Sequence, residues 1–216
     1  MKGATDNICE LYRIICKHNK QHDYFMHADA ALSGIILPFL DKDLSFKRHI
    51  HSIAISGHKF LGTSQVCSIF MMDKKFTELV NQDIEIIGSN DATLMGSRNG
   101  HAALLINYMV KLKKKDGFEM DIMECLGNAD YLVDELNRMT KGCANAWRNH
   151  NSVTVICNRP KNNVVRKWQL ATERNLSHVV VLPHVNRTKI DRFVGDYITV
   201  EFFYPVGHLI LKVYKE

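Results

Sequence analysis

The sequence predicts an α/β protein, on three observations. An apolar run, Ile53 to Ser56, has the length of a short buried strand and ends abruptly on Gly57-His58-Lys59. An earlier strand, "YFMHADAA" (Tyr24 to Ala31), likewise ends in small residues around an acid, Asp29. After Gly142 the chain alternates strand, helix, strand, helix, the order of a small α/β domain. With 216 residues, 46% apolar and 24% charged, the chain has enough apolar mass for a packed core and is not of a disordered class.

The elements follow in order. Asp6 to Lys17, "DNICELYRIICK", sets Ile8, Leu11, Ile14 and Ile15 on one face and predicts an amphipathic helix with Asp6 as its cap. After the Tyr24–Ala31 strand, "SGIILPFL" turns away, with Pro38 as a breaker. Ser52 to Ser56 and Val66 to Met72 read as strands, and Lys74 to Val80 as a helix. "MGSRNG" (Met95 to Gly100) is a polar turn that feeds a helix from His101 to Lys114. A second long helix is expected from Asp121 to Thr140. Then come a strand at Ser152–Cys157, a helix at Asn163–Glu173, a strand at His178–Pro183 and a helix at Arg187–Ile198. The expected division is 1–110 for a larger domain, 111–198 for a small one, and 199–216 for a tail of no clear type.

Charge and cysteine usage narrow the function classes. The net charge of +5 is a mild excess. Its densest run, "KLKKKD" (Lys111 to Asp116), reads as a solvated helix end; no aromatics interleave with it, so a nucleic-acid platform is not supported. None of the six cysteines forms C-x-x-C and the 11 histidines show no zinc spacing, so no metal is expected. Reduced thiols in a cytosolic protein fit this usage best. No apolar run reaches the roughly 18 residues of a membrane span.

Asp29 and Lys59 form the pair that carries chemistry. Each stands at or just past the C-terminal end of a strand, and a crossover between parallel strands fits between them. Both ends can therefore open on one sheet edge, where α/β proteins bind ligands. Spacing alone leaves two readings: a plain salt bridge, or a pyridoxal phosphate site. That cofactor needs a lysine amine for its aldehyde and a carboxylate against its ring nitrogen. Ala28, Ala30 and Ala31 are small enough to admit a flat ring, Ser56 and His58 can donate to a phosphate, and partial burial of Lys59 would favour its nucleophilic amine.

"HADAALSGIILPF" followed by "SIAISGHK" resembles the group II pyridoxal-phosphate-dependent amino-acid decarboxylases, the bacterial histidine and plant serine enzymes above all. "DATLMGSRNGHA", "NAWRNHNSVTV", "RKWQLA" and "HVVVLP" resemble the same branch in the same order, over residues 1–198. The resemblance implies the C-terminal part of a fold-type I large domain followed by the small α/β domain. It implies pyridoxal 5′-phosphate as cofactor and Lys59 as the lysine that forms the Schiff base with it. Asp29 then pairs with the pyridine nitrogen, Ala31 packs on the ring face, and Ser56 and His58 lie at the phosphate or beside the lysine. The "GSRNG" segment lies near the dimer interface in this family, so the resemblance places Ser97 at the neighbouring subunit's phosphate and implies a cytoplasmic homodimer. The implied reaction is amino-acid decarboxylation. "HADAALSG" leans to histidine as substrate, while "RKWQLA" and "HVVVLP" lean to serine; a non-catalytic remnant is the further alternative.

Two departures stand out. The match corresponds to the latter half of the family's subunit, and the other half carries more of the phosphate-binding loop and sheet. Relatives also follow the lysine with Ser-Pro-x-Pro-Cys-Gly, where this chain reads "GTSQVCSIF" (Gly62 to Phe70) and keeps only Cys67 of that stretch. Those prolines would fix a tight backbone path beside the cofactor, so their loss suggests relaxed constraint or an altered pocket.

Overall fold

A computed structural model describes residues 2–18, 24–40, 49–93 and 96–202, the last three without their side chains. Two compact units are present, Thr5–Met120 and a second of Asp121 onward joined by the first four residues.

The first unit is built on a three-stranded sheet in the order β1-β2-β3, with β1 at His27–Asp29, β2 at Ser52–Ser56 and β3 at Ser68–Met72. β1 and β2 are parallel, with Asp29 opposite Ala54, and β2 and β3 are antiparallel. Polar side chains fix the parallel register at its start: the Met26 N–H donates to His51 Nδ1 at 2.8 Å, and His27 Nδ1 lies 2.7 Å from the buried Ser52 hydroxyl. Ile36, Leu37, Ile55, Phe60, Leu61 and Phe118 are the buried apolar side chains of this unit among the described residues. Each such side chain removed from water contributes about 1.5–3 kcal/mol, before the entropy of ordering it.

Helix α1 (Ile8–His18) begins later than expected. Its first turn is capped by Asn7, whose Oδ1 accepts the Glu10 N–H at 3.0 Å, and not by Asp6. β1 is shorter than its apolar run because the chain leaves the sheet at Ala30 and turns over Ala31–Ile36. Pro38 does not break the fold there: it sits second in the four-residue helix α2 (Leu37–Leu40), where no N–H is required. Helix α3 (Lys74–Val80) is capped by Asp73, which accepts the Lys75 N–H at 3.3 Å. The sequence reading missed the hairpin of β4 (Gln82–Ile84) and β5 (Ser89–Asp91), turned through Gly88 at φ +58°.

Helix α4 runs from Gly100 to Met139 and is broken at Lys114, whose φ of 53° and ψ of −170° are not helical. Two expected helices are thus one interrupted element, and the Lys111–Asp116 run lies at the interruption. Before the break, Ala102, Leu105, Ile106 and Met109 share the partly covered face. Leu104, Tyr108 and Leu112, spaced four apart, form a neighbouring stripe that is 61%, 58% and 61% exposed.

The second unit holds a four-stranded antiparallel sheet in the order β6-β7-β9-β8. The strands are β6 (Trp147–Arg148), β7 (Thr154–Asn158), β8 (Ala171–Glu173) and β9 (Leu176–Val180). β7 is buried from Thr154 to Cys157. Ala129, Leu132 and Leu136 of α4 pack with it and with Ile190, Phe193 and Tyr197 of α6 (Arg187–Phe202). Helix α5 (Asn162–Trp168) ends sooner than expected, because Gln169 turns left-handed at φ 49° and sends the chain into β8. Thr199 continues α6, and the expected tail beyond residue 202 lies outside the described residues, as does Met95.

No disulfide joins the six cysteines. Burial pushes the Cys157 thiol up to about 12, which leaves almost no thiolate at neutral pH. Alkylation of the native protein at pH 8 is therefore expected to mark the exposed Cys9 and Cys143 while sparing Cys157 until the chain is unfolded, as read by peptide mass mapping. Early labelling of Cys157 would contradict the buried β7.

Candidate active site

The parallel pairing of β1 and β2 brings the two strand ends together. Beyond β1 the ladder continues by two bonds: Ala30 N–H to Ala54 O and Ser56 N–H to Ala31 O, both 3.0 Å. Asp29, Ala31 and Ser56 are thereby fixed at one edge. Asp29 is exposed, and its Oδ1 accepts the Ala31 N–H at 3.3 Å, which orients the carboxylate. Small side chains are required around it. A Cβ on Gly34 would stand 2.6 Å from Ile55 Cγ1 and 2.8 Å from the Ala30 carbonyl.

Lys59 stands three residues past β2 on a closed loop. Gly57 fastens that loop on both sides: its N–H donates to Cys67 O and its carbonyl accepts the Thr63 N–H, both at 2.9 Å. Gly62, at φ +76°, donates to the Lys59 carbonyl at 3.1 Å. The Thr63 hydroxyl donates to Gln65 O at 3.0 Å and lies 3.2 Å from Cys67 Sγ. These hydrogen bonds hold the backbone of the loop that carries Lys59. Lys59 itself is exposed, not partly buried as expected, because its turn projects from the end of β2. It forms no ion pair with Asp29, so the salt-bridge reading of the pair is not realised.

His58 is anchored through one ring nitrogen. Its Nδ1 lies 3.0 Å from Cys67 O and 3.3 Å from Cys67 N. When Nδ1 accepts the Cys67 N–H, Nε2 carries the hydrogen and is a donor on the exposed side. Ser97 is exposed in the turn before α4 and has no bond to the Lys59 loop. Its neighbour Asn99 does: Asn99 Nδ2 donates to Gln65 Oε1 at 2.8 Å. Arg98 is held by Asp91 at 2.7 Å. Sequence reasoning missed Thr63, Gln65 and Asn99; the one signal was the polar Thr-Ser-Gln set directly after Gly62.

Residues 1–159 match the pyridoxal-dependent decarboxylase conserved domain. The chain belongs to the pyridoxal-dependent decarboxylase family. It is 38% identical over 199 residues to serine decarboxylase 1 of Oryza sativa subsp. japonica, covering 91% of this chain and 41% of that protein. It is 37% identical over 215 residues to a histidine decarboxylase of Vibrio campbellii, covering 97% of this chain and 55% of that one. The chain thus spans about half the length of the curated relatives it matches. A solved structure of an L-methionine decarboxylase from Streptomyces sp. 590 superposes with a TM-score of 0.81 over 92% of this chain and 51% of that one. At 22% identity this shows the fold alone.

The family's cofactor is pyridoxal 5′-phosphate, and the residues present fit it. A lysine that is exposed and has no ion pair among the described residues, an exposed and oriented carboxylate, small alanines beside it, and a serine and histidine at the same strand end make a coherent donor set. Among the described residues no group of three His, Cys, Asp or Glu side chains could hold a metal ion.

Proposed function

We propose that this chain is the lysine-bearing part of a pyridoxal-phosphate-dependent amino-acid decarboxylase acting on histidine. The observation that carries this reading is the pair at the β1–β2 edge: Asp29 and Lys59, side by side in the topology, both exposed and not paired with each other. Bound there, the cofactor supplies the electron sink that lets an α-carboxylate leave as carbon dioxide. Lys59 offers the amine that bonds to the cofactor aldehyde. Asp29 holds a proton at the pyridine nitrogen, and the Ala31 N–H holds Asp29. Ala31 packs against the ring, and Ser56 and His58 Nε2–H donate to the phosphate. Ser97 serves the phosphate of the second subunit of a cytoplasmic homodimer, reached through the turn that Asn99 ties to Gln65.

The "HADAALSG" segment supports histidine as substrate, in keeping with the histidine decarboxylase relatives. Serine is the second reading, favoured by "RKWQLA", "HVVVLP" and the rice relatives at similar identity. The exposed stripe Leu104, Tyr108 and Leu112 favours a third, in which the chain by itself keeps the fold without the activity.

Addition of pyridoxal phosphate, borohydride reduction and peptide mapping test the reading. The expected result is a single reduced adduct on Lys59, absent from Lys59→Ala, followed by release of carbon dioxide from histidine and not from serine. Adducts scattered over surface lysines would overturn the site. A Lys59 adduct with turnover of serine would overturn only the substrate, and an adduct with no turnover would favour the non-catalytic reading.

A further inference from the structure

The second unit carries a cavity that the decarboxylase reading does not use. It has a volume of about 470 Å³, within the range of small-molecule sites, and lies between α5, β9, the segment after β9 and α6. Its floor is apolar. Leu132, Ile190 and Phe193 are buried there, and Trp168 stands edge-on to Phe193 at 5.4 Å and 80°. The indole is fixed, because its Nε1–H donates to Asp196 at 2.8 Å. A rigid aromatic wall of this kind needs no ordering when a ligand arrives.

The rim is basic. Lys167, His178, His184 and Lys189 line the cavity, and among the described residues no aspartate or glutamate does. The nearby acids are engaged elsewhere or act from outside. Asp196 pairs with Lys167 at 2.7 Å, Asp191 accepts the Tyr131 hydroxyl at 2.8 Å, and Glu173 acts on His178 from β8. Lys189 is different: its Nζ donates only to the neutral His184 carbonyl, at 3.2 Å, and forms no ion pair among the described residues. One ammonium with only a neutral carbonyl as partner among the described residues thus lines a cavity whose floor is apolar and aromatic.

We propose that this cavity binds a small monocarboxylate with a flat apolar body, its carboxylate seated by Lys189 and its body against Trp168 and Phe193. Charge complementarity sets the sign of the ligand head, since every ionisable residue of the lining among the described residues is basic. The floor sets the body, because burying a second charge there would leave it unpaired. The site lies within the second unit and does not depend on Lys59.

Trp168 fluorescence tests the proposal in a Trp147→Phe background, where it is the only remaining tryptophan. The probes are 3-phenylpropanoate, 3-phenylpropanol and 3-phenylpropylamine, which share one apolar body. The expected result is saturable quenching by the acid, binding of the alcohol about tenfold weaker or more, and none by the amine. Lys189→Met, at an exposed position, is expected to weaken the acid about tenfold while leaving the alcohol unchanged. Equal binding of all three probes would reduce the site to an apolar groove and overturn the proposal. So would acid binding that is indifferent to Lys189→Met, or no saturable response to the acid.

Discussion

Asp29→Asn is expected to leave the Lys59 adduct in place while cutting decarboxylation by about a hundredfold or more. The carboxylate and the amide are nearly the same shape, and either can accept the Ala31 N–H, now 3.3 Å from Oδ1. The strand end should therefore survive. What changes is charge. A carboxylate keeps a proton on a pyridine nitrogen beside it, and a neutral amide does so poorly. Attachment of the cofactor asks only for an amine; loss of carbon dioxide asks for a ring that accepts electrons. The measurement pairs turnover with the amount of borohydride-fixed adduct. A variant that retains near-normal turnover would remove Asp29 from the chemistry. One that loses the adduct as well would show that Asp29 serves binding and not the electron sink.

That pair was legible in the sequence because strand ends announce themselves. Ile53 to Ser56 alternates a core isoleucine with small residues and stops at a glycine, and the structure places β2 on Ser52–Ser56. The length of chain between β1 and β2 allowed a parallel pairing, and the structure has one. The small sheet offered no such signal: its strands are antiparallel, and an apolar run such as Thr154–Cys157 says nothing about direction. The β4–β5 hairpin was hidden because Gln82, Asp83, Asn90 and Asp91 lack the apolar alternation of a half-buried strand. Lys114 bends α4 with neither glycine nor proline to mark it. Of the site residues, the exposed pair could be read from chemistry. Thr63, Gln65 and Asn99 could not, because each acts through hydrogen bonds that exist only once the loop has closed.

The closed loop makes the second large prediction. Gly57→Ala is expected to lower stability by about 1–3 kcal/mol and to reduce cofactor capture at Lys59 by roughly a hundredfold. The new Cβ would lie 2.6 Å from Cys67 Sγ and 3.2 Å from Thr63 Oγ1, with Ile106 Cγ1 at 3.6 Å on a third side. Gly57 is buried, so the loop must give way, and it carries Lys59 two residues on. Displacing a reacting group by about 1 Å can cost a factor of this size even when the group itself is intact. The clash is with a side chain and not with the backbone bonds, which run from Gly57 N–H to Cys67 O and from Thr63 N–H to Gly57 O. Cys67→Ala removes the sulfur and keeps those bonds. The double variant Gly57→Ala/Cys67→Ala should therefore recover most of both losses, whereas independent effects would add. Thermal denaturation and the yield of Lys59 adduct measure the two arms. Recovery of stability without recovery of the adduct would mean that Gly57 matters for the path of the lysine itself; recovery of neither would show that the Gly57–Cys67 contact does not hold the loop.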